Sequence, residues 1–371
     1  MCGEYDFLIV GAGLYGAVFA REMTDAGYKC MVIDRRKHTG GNVYCERIEG
    51  IHVHRYGPHI FHTNDRGIWE YVNALAPFTP FVYSPLASYK QALYHLPFNM
   101  HTFYQLWGVT TAEEAAAVIQ QQITAAGIRH IPANLEEQAI ARVGTEVYQK
   151  LIKGYTEKQW GRKPSELPAS IINRMCVRFT YDNNYFNDTY QGIPVGGYNG
   201  LIAALLKGIE VKTGVDYLQS RGEWNEKAKL VVYSGSIDEF YGYCFGCLEY
   251  RSLSFEDKIL PVRDYQGVAV VNYTDAAVPY TRVIEHKHFE WAEQAHTVVT
   301  YETPQTWEKG REAFYPVNDA FNNCRYKQYR QLAATDAKMH FGGRLAEYRY
   351  YDMHQVIASA LKASRNFIGL I

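Results

Sequence analysis

Three glycines and one acid carry the first chemical signal in the chain. Gly11, Gly13 and Gly16 follow the apolar run "FLIV", a helical pattern continues through "AVFAREMTDAGY", and Asp34 closes a second apolar run, "KCMVID", 23 residues after Gly11. Strand, glycine turn, helix, second strand and acid in this register make a dinucleotide site. The backbone can approach a pyrophosphate at the helix N-terminus, and the acid reaches a ribose hydroxyl. Next comes "RRKHTGGNV", closed by Gly40, Gly41 and Asn42, where NAD enzymes normally run into another crossover helix. A glycine pair lets the backbone lie against a second part of the cofactor, which favours FAD over NAD. No second fingerprint follows, so reducing equivalents must come from outside, from NAD(P)H or a flavin reductase.

The familiar catalytic sets are missing. There is no G-x-S-x-G elbow, no HExxH, no P-loop and no paired C-x-x-C zinc signature. His52, His54, His59 and His62 cluster in "IHVHRYGPHIFHTND", but no Cys, Asp or Glu completes a ligand set nearby, so no metal is expected. The turn Gly57-Pro58-His59 is the more telling part, since it can hold an imidazole against a flavin edge. Cys244 and Cys247 form a C-x-x-C without the strand-to-helix frame of a redox dithiol and read as structural thiols. What remains is a set of arginines and tyrosines from separate segments: Arg174, Arg251, Arg282 and Arg344, with Tyr155, Tyr185, Tyr315 and Tyr350 beside them. Arginine forks suit a diphosphate, and tyrosine hydroxyls suit its oxygens.

These residues must be brought together by at least two units, the prior for 371 residues. From Thr110 the pattern is helical: "TTAEEAAAVIQQQITAAG" carries a capping box at Thr111 and Glu114 and a terminating Gly127, and "LEEQAIARVGTEVYQKLIKGYTEKQWG" continues at helical spacing. The segment after it, "GRKPSELPASIINRM", reads as a mobile loop with Arg174 near its end, because Pro164 and Pro168 prevent helix. "IPVGGYNGLIAALLKGIEVKTG" and "KLVVYSGSID" resume the nucleotide fold. Strand patterns dominate from about 245 to 320, and "MHFGGRLAEYRYYDMHQVIASALKAS" predicts a strand, a Gly342-Gly343 turn with Arg344, and a last helix beginning near Asp352.

Composition bounds the partners. Lys+Arg 38 against Asp+Glu 39 leaves a net charge of -1, which removes the case for a general nucleic-acid or anionic-membrane surface. The N-terminus enters a strand without a basic n-region, and the apolar stretch Phe7 to Ala20 is too short to span a bilayer. Seven cysteines, an odd number, suggest reduced thiols, and a cytoplasmic location is expected. The 31 tyrosines suit a large polar cleft.

The motifs "GPHIFHT", "LPFNM", "YTEKQWG", "LEYRSLSFE", "FYPV" and "GRLAEYRYYDM" occur in this order along nearly the whole chain. Together they resemble the bacterial UDP-galactopyranose mutase family. The resemblance implies an α/β fold in three parts. A Rossmann-like FAD-binding domain would take residues 1–80, 191–243 and 325–371. A helical domain would take 98–190, with a mobile loop at about 165–178, and an antiparallel sheet domain 81–97 and 244–324. It implies a homodimer and the interconversion of UDP-galactopyranose and UDP-galactofuranose on reduced FAD, with flavin N5 as nucleophile on the anomeric carbon and no net redox, supplying galactofuranose for surface polysaccharide. Carried over by position, Arg174 and Arg282 hold the diphosphate, and Tyr185, Tyr315 and Tyr350 surround it. Tyr155, Thr156 and Trp160 form the uridine wall, and Asn272 lies in the cleft. Arg251, Arg344 and Asp352 stand on the flavin side, and His59 beside the flavin favours its reduced, anionic form by a hydrogen bond. Two features depart from the family pattern: Tyr83-Ser84-Pro85-Leu86 where relatives commonly read Asn-Ser-Pro-Leu, and the C-x-x-C pair. An amine-oxidase-type flavoenzyme and a non-catalytic nucleotide-sugar sensor are the rival readings. The first would need an apolar aromatic cage in place of an arginine set.

Overall fold

The computed structural model describes residues 3–128 and 130–369, with the side chain of Arg174 outside the description. Its organising element is a five-stranded sheet in the order Glu210–Thr213, Cys30–Asp34, Tyr5–Val10, Ala228–Tyr233, Met339–Phe341, every pairing parallel. The strand residues alternate between two cores. Phe7 and Ile9 face the helices Leu14–Asp25, Tyr198–Leu205 and Met353–Gly369, whereas Leu8 packs with Met31, Tyr217, Tyr233 and Phe240 on the other side. A sheet covered on both faces reads as continuous hydrophobic strands, which is why "FLIV" and "CMVI" lack a polar alternation.

The second sheet has seven strands, in the order Tyr315–Pro316, Tyr250–Leu260, Thr297–Thr306, Arg282–Glu285, Val270–Tyr273, Leu86–Tyr89, Ala92–His95. Its pairings are antiparallel except between Val270–Tyr273 and Leu86–Tyr89. A small sheet of Phe61–Thr63, Tyr190–Pro194 and Phe78–Pro80 bridges the dinucleotide part and the end of the helical insertion.

The helical insertion comprises Met100–Trp107, Ala112–Ala126, Leu135–Val147 and Gly154–Trp160 around a core that includes Phe103, Leu135, Tyr148 and Leu151. The Thr111/Glu114 capping box and the left-handed Gly127 terminate Ala112–Ala126 as expected. The long pattern that follows is not one regular helix. Gly144 has φ +78, and a Cβ there would meet the Gln122 side chain at 2.6 Å. Residues Tyr148–Lys153 then wind as a π-helix before Gly154–Trp160 resumes the α form. A π segment shifts the helix face, and here it precedes the stretch that meets the cleft. The proline-rich loop also differs from expectation. Pro164 and Pro168 stop an α-helix but stand at the start of two 3₁₀ turns: Pro164 is the first residue of Pro164–Glu166, where its fixed φ suits a helical position, and Pro168, with extended ψ, precedes Ala169–Arg174.

Candidate active site

Both sheets and the helical insertion border one cleft of about 1180 Å³. At its dinucleotide end, Gly11 has φ +114 and hydrogen-bonds through its N–H to Ile33 O. A Cβ on Gly16 would stand 1.9 Å from Gly11 O, so this glycine does not line the cleft; it lets the first helix sit directly on the turn. A Cβ on Gly41 would lie 2.9 Å from Gly13 Cα, so the fingerprint and the second glycine pair touch backbone to backbone. Asp34 accepts the Ala12 N–H at 2.7 Å and the Arg36 N–H at 2.8 Å, which fixes its carboxylate at the edge of the cleft. Asn42 lines the cleft too, with its Oδ1 accepting from Arg36 at 3.0 Å. Arg36 also pairs with Glu312 and lies over the Tyr56 ring at 4.3 Å.

At the other end stands Arg282, with its Nε 3.1 Å from the carboxylate of fully buried Glu302. Burial by itself would lower the Arg282 pKa, but Glu302 holds it well above the ordinary value, so it stays a cation. Burial raises the Glu302 carboxyl, and Arg282 opposes that rise. Tyr83, Tyr155 and Tyr315 surround the guanidinium. Burial pushes Tyr155 up to about 12 and raises Tyr315 and Tyr83 as well, so all three are neutral hydroxyls. Tyr315 stacks on Tyr350 at 5.3 Å, and Arg344 lies over that ring at 4.9 Å. Tyr185 meets Tyr83 edge-on at 5.3 Å. Thr156, Trp160, Asn272 and Asp352 complete the lining among the predicted residues, and Asn272 donates through Nδ2 to Leu86 O.

His59 sits between the two ends. Its Nδ1 is 2.8 Å from Gly57 O and must carry the proton, so the neutral ring offers only Nε2, as an acceptor. Burial lowers its pKa to about 4, with Arg344 and Arg282 adding to the effect. The expected stabilisation of an anionic flavin by a hydrogen bond from His59 is therefore replaced: this ring has no donor left for it. Behind it lies a cluster of histidines: the His59 backbone N–H donates to His54 Nδ1 and the His54 backbone N–H to His286 Nδ1, while His286 Nε2 meets Thr300 Oγ1 at 2.7 Å. His52, by contrast, pairs with Glu290, and His62 with Asp188.

Arg251 does not join the cleft lining, contrary to expectation. Its Nε donates to Gln159 O at 2.8 Å and Nη2 to Lys158 O at 3.3 Å. A buried guanidinium needs acceptors, and the C-terminus of Gly154–Trp160 has orphan carbonyls to offer. For Arg174, the backbone closes Ala169–Arg174, and the side-chain expectation lies outside the described residues. Glu302 is a site residue that no motif marks. Its one signal in the sequence is an acid within the apolar strand "TVVTYET", where the structure buries it.

The buried histidines have a pH consequence. His54, His59 and His286 are held neutral by burial, with pKa values below the ordinary 6.5, about 4 for His59 and about 3 for His286. The unfolded chain binds protons that the native state refuses, so stability is full above pH 6.5 and falls as pH drops toward the folded values. His288, raised chiefly by its bond to Glu285, opposes this with the other sign. Thermal melts are expected to show a progressive drop in Tm between pH 7 and 5, before most carboxylates titrate; a flat Tm over that interval would contradict the neutral state of these rings.

A Rossmann-like sheet with a glycine cradle at one end of a cleft, and an arginine among tyrosines at the other, defines a dinucleotide-fold enzyme with room for a second, polar ligand. Comparison with known proteins makes this specific. Residues 150–350 match the family model described as UDP-galactopyranose mutase, and residues 9–75 match that of an NAD(P)-binding Rossmann-like domain. A Klebsiella pneumoniae protein described as a probable UDP-galactopyranose mutase is 41% identical over 99% of this chain and 95% of its own. An Escherichia coli dTDP-fucopyranose mutase is also 41% identical, over 97% of this chain and 98% of its own. The crystal structure of a reduced UDP-galactopyranose mutase superposes with a TM-score of 0.76 at 13% identity, covering 99% of this chain and 96% of that one. The chain belongs to the UDP-galactopyranose mutase family, and it is an isomerase of the pyranose–furanose type. Among the described residues, no helix is long and apolar enough to cross a membrane.

Proposed function

We propose that the enzyme interconverts UDP-galactopyranose and UDP-galactofuranose with reduced FAD, in the cytoplasm, as a homodimer, and that its product supplies surface polysaccharide. The observation that carries this reading is the continuity of the cleft from the glycine cradle past His59 to Arg282 and its tyrosines. The cradle fits a dinucleotide, since Gly11, Gly13, Gly40 and Gly41 line this end of the cleft with backbone alone and Asp34 stands at its edge. Bound and reduced, FAD would supply the nucleophile through N5 and recover its electron pair on release, so the net reaction moves no electrons.

The protein's own part is charge and orientation. Arg282, kept cationic and fixed by Glu302, faces the charge that develops on a departing UDP diphosphate. Tyr155, Tyr185, Tyr315 and Tyr350 offer hydroxyls to its oxygens without taking its protons. Arg174, at the end of a loop beside the cleft, supplies the second cation. Thr156 and Trp160 shape the wall for the uridine, and Asn272 the sheet side. Asp34, Asn42, Arg344 and Asp352 hold the cofactor, and His59 accepts a hydrogen bond through Nε2. An external reductant, NAD(P)H or a flavin reductase, keeps the cofactor active.

Equal identity to a dTDP-fucopyranose mutase favours a second reading, in which the sugar lacks the 6-hydroxyl. The test is purified protein with UDP-galactofuranose and, in parallel, dTDP-fucopyranose, each with and without dithionite, followed by separation of the sugar nucleotides. Conversion of the UDP sugar only under reduction is the expected result, lost in Arg174→Ala with flavin retained. Preferential conversion of the dTDP sugar would establish the second reading. Flavin reduction by the substrate without isomerisation would indicate an oxidoreductase, and binding without either would indicate a sensor.

A further inference from the structure

Lys158 lies on the helix that presents Tyr155, Thr156 and Trp160 to the cleft, but it points elsewhere. Its Nζ lies 2.8 Å from Tyr273 O, 2.9 Å from Asp275 O, 3.0 Å from Val278 O and 2.9 Å from Tyr280 O. An ammonium has three protons, so a ring of four carbonyl oxygens at this range leaves no N–H without an acceptor. No carboxylate pairs with it at salt-bridge distance among the described residues. The loop that makes this ring begins after Asn272 and ends at Arg282, so both of its ends line the cleft. The Tyr273 and Tyr280 rings close it edge-to-face at 4.7 Å.

Two further contacts show that the helix is seated on this loop. Gly154 lies so close that a Cβ would stand 2.4 Å from Thr274 O, and Thr274 Oγ1 donates to Lys150 O at 2.8 Å. At the far end of the loop, Thr281 donates its N–H to Glu302 O at 2.9 Å, in the residue that holds Arg282. Helix wall and sheet wall are thus joined through one cation.

We propose that Lys158 is a positioning residue: by holding the Tyr273–Thr281 loop, it fixes Arg282 and Asn272 relative to Tyr155 and Trp160, and thereby sets the affinity of the cleft for the nucleotide diphosphate. This rests on the reading that the cleft binds UDP. Its consequence differs from that of a residue acting on bond cleavage. Losing the tie loosens the diphosphate in the ground state and the transition state alike, so KM rises while kcat changes less. The ring of carbonyls itself survives, and it can accept another cation of the same shape.

The experiment uses the flavin-loaded, reduced enzyme and the variants Lys158→Ala and Lys158→Gln. It measures UDP affinity by titration calorimetry, KM and kcat for UDP-galactofuranose, and hydrogen exchange of the amides from 273 to 281. Expected are full flavin content, UDP affinity at least ~10-fold weaker, a KM increase exceeding the kcat loss, and faster exchange in that loop. In Lys158→Ala, n-butylammonium should restore affinity, whereas tetramethylammonium at the same ionic strength should not. Affinity and KM within twofold of wild type would overturn the proposal, as would a kcat loss at unchanged KM. Loss of flavin from both variants would also overturn it, since Lys158 would then support the fold at large. If the wild type itself binds no UDP, the reading of the cleft fails, whereas unchanged exchange in the loop would refute the tie on its own.

Discussion

Arg282→Ala is expected to lower kcat/KM for UDP-galactofuranose by at least ~100-fold and to weaken UDP binding steeply, while the flavin stays bound. Charge-assisted hydrogen bonds to a diphosphate contribute about 1.5–3 kcal/mol each, and two of them account for a loss of that size. The same substitution strands Glu302, which is fully buried and whose Oε2 has no hydrogen-bond partner among the described residues. Breaking a buried pair from one side costs about 3–5 kcal/mol, limited here by protonation of the carboxyl, whose pKa is already raised by burial. A lower Tm should therefore accompany the lost activity. The double variant Arg282→Met with Glu302→Leu separates the two effects. With no charge left to desolvate, its Tm should return toward wild type, but activity should not. Recovery of activity in that variant would show that the diphosphate does not depend on this arginine.

A second large effect is expected from a single methyl group. In Gly16→Ala the new Cβ would be placed 1.9 Å from Gly11 O and 3.0 Å from the Ile9 side chain. Backbone oxygen cannot move aside as a flexible side chain can, so helix Leu14–Asp25 must lift from the strand Tyr5–Val10. Overpacking of this kind costs about 1–3 kcal/mol or more, and the displacement falls on the helix N-terminus that would receive the cofactor's pyrophosphate. The variant should purify with little or no flavin and a reduced Tm. Gly27→Ala is the comparison: nothing lies within 4 Å of its Cβ position, so flavin content should stay normal despite the strain of φ +90. A Gly16→Ala protein with full flavin absorbance would refute the role given to this glycine.

The two effects act at opposite ends of the cleft, and their legibility in the sequence differs accordingly. Gly16 is readable because a dinucleotide turn constrains residues that are close in sequence: strand, turn and helix follow one another, and the glycine spacing records their contact. The capping box at Thr111 and the terminating Gly127 are readable for the same reason. Arg282 and its tyrosines come from distant segments, so residue type marked them as a possible diphosphate set, while their positions in one site came only from the family-wide motifs.

Local sequence by itself determined the dinucleotide fold, its glycine cradle and Asp34, and the helical character of the insertion, because these depend on neighbours within a few turns or strands. Tertiary structure decided the rest. It set Arg251 on the last carbonyls of Gly154–Trp160, outside the cleft lining, because a buried guanidinium takes the nearest unsatisfied carbonyls. It made His59 an acceptor, because Gly57 O claims the Nδ1 proton. It interrupted a helix at Gly144 and wound Tyr148–Lys153 as a π segment ahead of the cleft wall. It also placed Glu302 behind Arg282 and Lys158 inside a ring of four carbonyls. In each case the deciding partner lies on another segment of the chain, and burial compels polar groups to find partners that no local pattern names.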